Sequence, residues 1–133
     1  MRNGIKSVLL AAAGMSVSAG LVMAGSNQPA SAAAPVSLPI SSYYQMVVDA
    51  AHGHIFISQG SSSQDGILVT DLSGQVVTTI TGQPGVVGIA LSPDGSTLYA
   101  AVSTAVDAIS TSTLTQTASY PVPAGDSPFN VAA

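Results

Sequence analysis

The 133-residue sequence lacks cysteine and tryptophan and contains only two basic residues. Without cysteine, no disulfide can stabilise the fold and no lipid can be attached through an N-terminal cysteine. The two basic residues, Arg2 and Lys6, lie at the extreme N-terminus, so the rest of the chain has no lysine or arginine. Phosphate binding needs cationic side chains. Nucleic acid and anionic membrane surfaces are therefore poor partners, and a lysine nucleophile or an arginine clamp is excluded beyond Lys6.

The N-terminal region has the layout of a secretory signal peptide. A positive start precedes an apolar run over residues 7–24, and the small residues Ala30-Ser31-Ala32 follow. Because they match the A-x-A rule, we expect cleavage after Ala32 and secretion of residues 33–133. The alternative is a membrane anchor, since about 18 apolar residues could just span a bilayer. Glycine and serine residues within the run weaken that alternative.

The segment Ser92-Pro93-Asp94-Gly95 predicts a β-hairpin. Pro93 favours the first turn position and Gly95 accepts a positive φ, while apolar runs flank the turn on both sides. Similar short β-rich runs separated by turn residues fill the rest of the exported part, and none shows helical spacing. The sequence therefore predicts an all-β protein. Strands are predicted around 46–48, 55–57, 67–69, 76–81, 89–91, 97–102, 106–109 and 115–122.

The strand candidates recur along the chain. A step of 42 residues separates Val47, Ile89 and Val131, and the same step separates Leu38, Ile80 and Val122. Four short strands every 40 to 45 residues is the spacing of a β-propeller blade. A small β-sandwich adhesion domain is an alternative, but sandwich strands need not repeat.

We predict a partial β-propeller of about two four-stranded antiparallel blades plus flanking strands. A blade buries its faces against its neighbours, so two blades leave apolar faces and strand edges uncovered. We expect either a fragment of a longer propeller or self-association of identical chains through exposed blade faces, and we favour the fragment. The predicted boundaries are a signal peptide over 1–32, a linker or closing strand over 33–41, and incomplete repeats over 42–133, with blades at 45–82 and 87–123 and a next blade starting at 127–133.

Residues 89–102 resemble the blade motif of bacterial secreted YVTN-type β-propellers, and Ser127-Pro128-Phe129-Asn130-Val131-Ala132 resembles the start of the next blade in that family. The resemblance covers about residues 42–133. It is imperfect, because Tyr99-Ala100-Ala101-Val102 stands where the family has Tyr-Val-Thr-Asn. Secreted propellers resembling this one include lactonases and quinone-dependent dehydrogenases, which implies a second class of function besides binding.

Few residues suggest a catalytic or metal-binding role. His52 and His54 could share a strand face and ligate a metal with Asp49 nearby, but Gly53 places them in a predicted turn and no third ligand is fixed by the sequence. We therefore interpret both histidines as polar residues at a hairpin tip.

Two further features have simple structural interpretations. Asp65-Gly66 and Asp94-Gly95 are turn signals rather than calcium loops, because the spaced carboxylates of such loops are missing. Tyr43-Tyr44 could stack on a sugar or a peptide, although packing at the entry to the first blade is the simpler role.

The sequence predicts an exported, non-enzymatic propeller repeat protein or fragment that acts as a binding or scaffold module. Its partner would be a protein, a peptide or a glycan. The alternative is a truncated relative of a secreted propeller enzyme. No catalytic, cofactor-binding or metal-binding residue and no cofactor is predicted.

Overall fold

The structure, a computed structural model, describes residues 34–60 and 66–133. The predicted signal peptide and Asp65 lie outside these residues. The described ranges contain no helix that could cross a membrane. Their strands are β1 (Gln45–Asp49), β2 (His54–Ser58), β3 (Gly66–Asp71), β4 (Val76–Thr81), β5 (Ile89–Leu91), β6 (Thr97–Val102), β7 (Ala105–Ser110) and β8 (Thr115–Pro121).

The strands form two four-stranded sheets within the folded unit of residues 36–133. β1 to β4 make the first sheet and β5 to β8 the second, each with its strands in sequence order and every neighbouring pair antiparallel. The sheets approach each other most closely at their first strands, β1 and β5. The predicted all-β architecture of two antiparallel four-stranded blades is confirmed.

The predicted hairpin turn joins β5 to β6. Asp94 Oδ1 accepts hydrogen bonds from Ser92 Oγ at 2.7 Å and Ser96 Oγ at 2.8 Å, and Gly95 has a φ of 72°. This turn is tied to β7 because Thr111 Oγ1 donates to Gly95 O at 2.7 Å. The turn residues therefore fix both the hairpin and its position against the next strand.

A single apolar core lies between the sheets. In the first sheet, Val47, Phe56 and Val69 lie opposite one another on β1, β2 and β3. Phe56 and Val69 are fully buried, and Val47 packs against the cluster they belong to. The buried members of this cluster are Phe56, Ile67, Val69, Ile80, Val86, Ile89, Leu98, Ala100, Val102, Ala105 and Ile109.

Each sheet contains a β-bulge at the same place, between its third and fourth strands. The register shifts after the pair Val69–Thr78 in the first sheet and after the pair Ala108–Ala118 in the second. The bulge marks the equivalent rows of the two blades, because it occurs in the ladder between the third and fourth strands of each sheet and in none of the other ladders. The row that contains Val47 and Val69 therefore corresponds to the row that contains Ala90 and Ala108.

This correspondence corrects the predicted 42-residue step. Val47 corresponds to Ala90, 43 residues later, while Val69 corresponds to Ala108, only 39 residues later. The separation between equivalent residues falls from 43 to 39 because the β6–β7 turn is shorter than the β2–β3 connection. Since side chains alternate between the faces of a strand, a one-residue error exchanges the two faces. The 42-residue step therefore pairs the correct strands but matches Val47 with Ile89. Val47 lies on the face of the first sheet that meets the second, whereas Ile89 lies on the face of the second sheet that meets the first, so the two belong to opposite faces of the repeat.

Residues 34–41, within the predicted linker or closing strand, and residues 127–133, the predicted start of a next blade, form no strand within the described part of the chain. Pro39 lies in a three-residue turn closed by Ile40 N donating to Leu38 O at 2.9 Å, because its ring fixes φ and favours a bend. Residues 127–133 have no strand partner in the described part of the chain. Val122, matched with Ile80 in the sequence, lies beyond the end of β8.

A candidate binding groove at the first strands

A shallow groove of about 270 Å³ lies at the start of the first strands of the repeats. Three pairs of adjacent residues line it. The first belongs to the entry of β1, the second precedes β5, and the third lies in the C-terminal segment. The lining residues are Tyr44, Gln45, Val87, Gly88, Phe129 and Asn130.

Tyr44 is held in the groove by its backbone and by a glycine beneath its ring. Tyr44 N donates to Ser58 O at 3.0 Å. A Cβ on Gly60 would overlap the tyrosine ring, with Cδ2 at 2.6 Å, and Gly60 also has a φ of 73°. The ring therefore lies directly on the Gly60 backbone, and 55% of the residue's surface is exposed.

Gln45 links the two sheets at the base of the groove. Its Oε1 accepts a hydrogen bond from Ile89 N at 3.2 Å, and its backbone N donates to Ser58 Oγ at 3.0 Å. The buried Ser58 in turn donates through Oγ to Val87 O at 2.6 Å. Ile89 N and Val87 O thus each have a hydrogen-bond partner on a side chain of the first sheet.

Gly88 allows the C-terminal segment to reach the groove. A Cβ at this position would lie 2.7 Å from Asn130 Cα and 2.8 Å from Phe129 O. Only glycine permits so close an approach of two backbones. Phe129 is 74% exposed beside it, so its ring forms an open wall of the groove.

The groove combines apolar rings with amide groups and carries no charge at neutral pH. Tyr44 and Phe129 supply the rings, and Gln45 and Asn130 supply the amides. An amide offers both a donor and an acceptor, so it can bind hydroxyl or amide groups of a ligand. The arrangement suits the recognition of a neutral polar molecule.

The structure separates the two tyrosines singled out in the sequence. Tyr44 lines the groove, whereas the neighbouring Tyr43 is 66% exposed and is not among the lining residues. The remaining lining residues were not identified from the sequence. The resemblance of residues 127–132 to the start of a blade is the signal that could have pointed to Phe129 and Asn130.

The histidines lie away from the groove residues and are used differently from each other. His52 Nδ1 lies 2.7 Å from Asp49 Oδ2, and Asp49 Oδ1 accepts hydrogen bonds from Ala51 N and His52 N in the β1–β2 turn. His54 instead packs edge-on against Phe56, with ring centroids 5.9 Å apart. Among residues 34–60 and 66–133, no three or more His, Asp or Glu side chains are grouped to hold a metal ion.

Two aspartates serve as turn acceptors. The Ser92 hydroxyl, together with Ser96, lowers the pKa of Asp94 to about 2. The hydroxyl of Ser73 and the backbone N–H of Gln75 lower the pKa of Asp71 in the β3–β4 turn. Both carboxylates therefore favour the ionised form more strongly than an ordinary aspartate does.

The comparisons with known proteins identify the fold. No family model matches the chain, and no curated protein matches it. Among solved structures, the chain is similar to Kuenenia stuttgartiensis hydrazine synthase, with a TM-score of 0.61 and 17% identity over 85% of this chain. That protein contains a β-propeller. The chain spans 29% of the length of the matched structure. The likeness shows that the two sheets form a propeller-like fold.

Proposed function

We propose that this protein is an exported YVTN-type β-propeller repeat protein, or a fragment of one, that acts as a binding or scaffold module. The blades supply a rigid frame, and the groove at the first strands supplies the ligand surface. Residues 89–102 and 127–132 support the family, and the signal-like N-terminus supports secretion. The propeller-like fold supports a repeat architecture in which loops and inner strands present ligand sites.

The groove is the observation that carries the proposal. It brings together residues from the start of β1, from the segment before β5 and from the C-terminal segment, and two of these residues are strongly exposed aromatics. Exposed aromatic side chains beside convergent polar groups are typical of binding sites. The partner is a neutral molecule, because the groove offers no charge to an ionic one.

Chemical-shift mapping tests this proposal. The ¹⁵N-labelled protein is screened against a panel of neutral peptides and oligosaccharides, and we expect shifts concentrated on the amides of residues 44–45, 87–88 and 129–130. The double variant Tyr44→Ala/Phe129→Ala should lose them. Tyr43→Ala is the matched control, because Tyr43 is exposed but lies outside the groove. A panel that shifts no groove amide would contradict the proposal.

A further inference from the structure

The two walls of the groove carry the same pair of residue types. Tyr44-Gln45 is an aromatic residue followed by an amide, and Phe129-Asn130 has the same order in the C-terminal segment. Between them, Val87-Gly88 contributes small side chains. The groove therefore has two aromatic walls, an amide beside each, and a narrow floor.

On the β5 side of the groove, the backbone is already hydrogen-bonded. Val87 O accepts from Ser58 Oγ, and Ile89 N donates to Gln45 Oε1. Gly88 O accepts from Ala101 N at 2.8 Å. A peptide that binds by strand addition needs free backbone groups along a sheet edge. Recognition here depends on side chains, which disfavours strand addition.

The size and charge of the groove narrow the ligand further. Its volume of about 270 Å³ is slightly below the roughly 300–1,000 Å³ of ordinary small-molecule sites. It therefore holds one ring-sized unit. No lining side chain is charged at neutral pH, so a phosphate, carboxylate or ammonium group would find no counter-charge in the groove.

Resting on the proposed function, we propose that the groove binds one neutral hexose unit of a glycan. The C–H faces of the sugar ring lie against the rings of Tyr44 and Phe129, and its hydroxyls bond the amides of Gln45 and Asn130. A sugar ring has both an apolar face and a dense set of hydroxyls, which matches the alternation of ring and amide along each wall. The Tyr44 ring is already seated on Gly60, which reduces the ordering cost of binding.

Titration of the full-length ¹⁵N-labelled protein with cellobiose, chitobiose and maltose tests this inference. At least one sugar should give saturable shifts at Tyr44, Gly88 and Asn130. Tyr44→Ala and Phe129→Ala should each weaken that binding by about tenfold, the size of loss that corresponds to one stacking contact. Tyr43→Ala should bind as the unaltered protein does. If Tyr44→Ala does not fold, Phe129→Ala still tests the inference, because Phe129 is 74% exposed and its replacement should leave the fold intact.

The outcomes separate this inference from the proposed function. A neutral peptide, Pro-Ala-Pro-Ala-Pro-Ala, is titrated in parallel. Saturable shifts of the groove amides with the peptide and none with the sugars would overturn the glycan inference but keep the binding role. No groove shift with sugars, this peptide or the wider panel would overturn both. Sugar binding that survives Tyr44→Ala and Phe129→Ala would place the site elsewhere and overturn the inference.

Discussion

At the scale of single residues, short polar side chains determine the turns of this protein. Asp94 accepts hydrogen bonds from both Ser92 and Ser96, and Asp71 organises the β3–β4 turn in the same way. Hydrogen bonds to the ionised carboxylate favour the charged form and so lower the pKa.

Removing the Ser92 hydroxyl should raise the pKa of Asp94. We expect a value of about 2 in the unaltered protein and one closer to the ordinary 3.8 in Ser92→Ala, because the Ser92 hydrogen bond is the largest cause of the shift. Carboxyl ¹³C NMR titration measures both values. Ser37→Ala, at an exposed position in the N-terminal segment, should leave the Asp94 pKa unchanged, and equal pKa values in Ser92→Ala and the unaltered protein would contradict the assignment.

The same shift fixes the sign of one pH effect on stability. A carboxylate with a lowered native pKa stabilises the fold above its unfolded pKa, and this contribution is lost as the pH falls through the native value. For Asp94 the loss should occur between about pH 4 and pH 2. Urea unfolding of the unaltered protein and Asp94→Asn should show a stability difference that narrows over this window. A difference that stays constant would contradict it.

Substitutions at two glycines with the same φ allow the cost of backbone strain to be measured apart from the cost of steric overlap. Gly53 and Gly60 both have a φ of 73°, but a Cβ at Gly53 meets nothing within 4 Å, whereas one at Gly60 overlaps the Tyr44 ring. Gly53→Ala should cost about 1–2 kcal/mol of unfolding free energy from φ strain alone. Gly60→Ala should cost more and should also displace Tyr44. Urea denaturation and the Tyr44 amide shift measure both effects, and equal costs would show that the ring yields freely.

At the scale of strands and sheets, the two blades depend on one shared core. Phe56 is fully buried in the face of the first sheet that packs against the second. Phe56→Ala should lower the unfolding free energy by about 3–5 kcal/mol, since it leaves a cavity as well as losing burial. Leu72→Ala is the control, because Leu72 is exposed in a turn and its loss should cost under about 0.5 kcal/mol. Urea midpoints that do not differ would contradict the shared core.

The strands could be predicted from the sequence because apolar runs and turn residues are local signals. The hairpin around Asp94 is the clearest case, since its turn residues act on their own neighbours. The matching of Val47 with Ala90 could not be predicted, because it depends on the bulges and on connections of unequal length. The groove could not be predicted for a similar reason. Tyr44 and Phe129 are far apart in sequence, and only the folded chain brings them to one groove.

At the scale of the whole molecule, the balance of charge and exposed apolar surface governs behaviour in solution. Residues 33–133 contain six aspartates and no lysine or arginine. Met46 and Val48, each 56% exposed, lie on the face of β1 opposite to Val47. We propose that this face contributes to self-association, since exposed apolar patches with few charges favour it.

Sedimentation velocity tests this proposal. The protein should show a concentration-dependent sedimentation coefficient at neutral pH, and Val48→Lys should reduce that dependence by placing a charge on the apolar face. Leu72→Lys is the matched control, with the same change of charge at a residue exposed to a similar degree. If Leu72→Lys reduced association as much as Val48→Lys, net charge rather than this face would be responsible.

Export has its own test. We expect the secreted protein to begin at Ala33, because Ala30 and Ala32 satisfy the small-residue rule at the cleavage site. Intact-mass measurement of the secreted protein checks the new N-terminus. Ala32→Gln should block cleavage and leave the longer mass, whereas Ala24→Gly, outside the cleavage motif, should not. Full-length mass in the unaltered protein would favour the membrane-anchor alternative.

The small side chains of Val87 and Gly88 limit which substitutions this protein can accept at the groove. If positions 87 and 88 carried an aromatic residue and an amide, as positions 44–45 and 129–130 do, their side chains would fill the space that Val87 and Gly88 leave open. Any Cβ at Gly88 would also push away the chain at Asn130. The difference between Val87-Gly88 and the other two pairs therefore leaves space for a ligand. A consensus sequence with an aromatic residue and an amide in all three pairs would be more regular and would lose the groove.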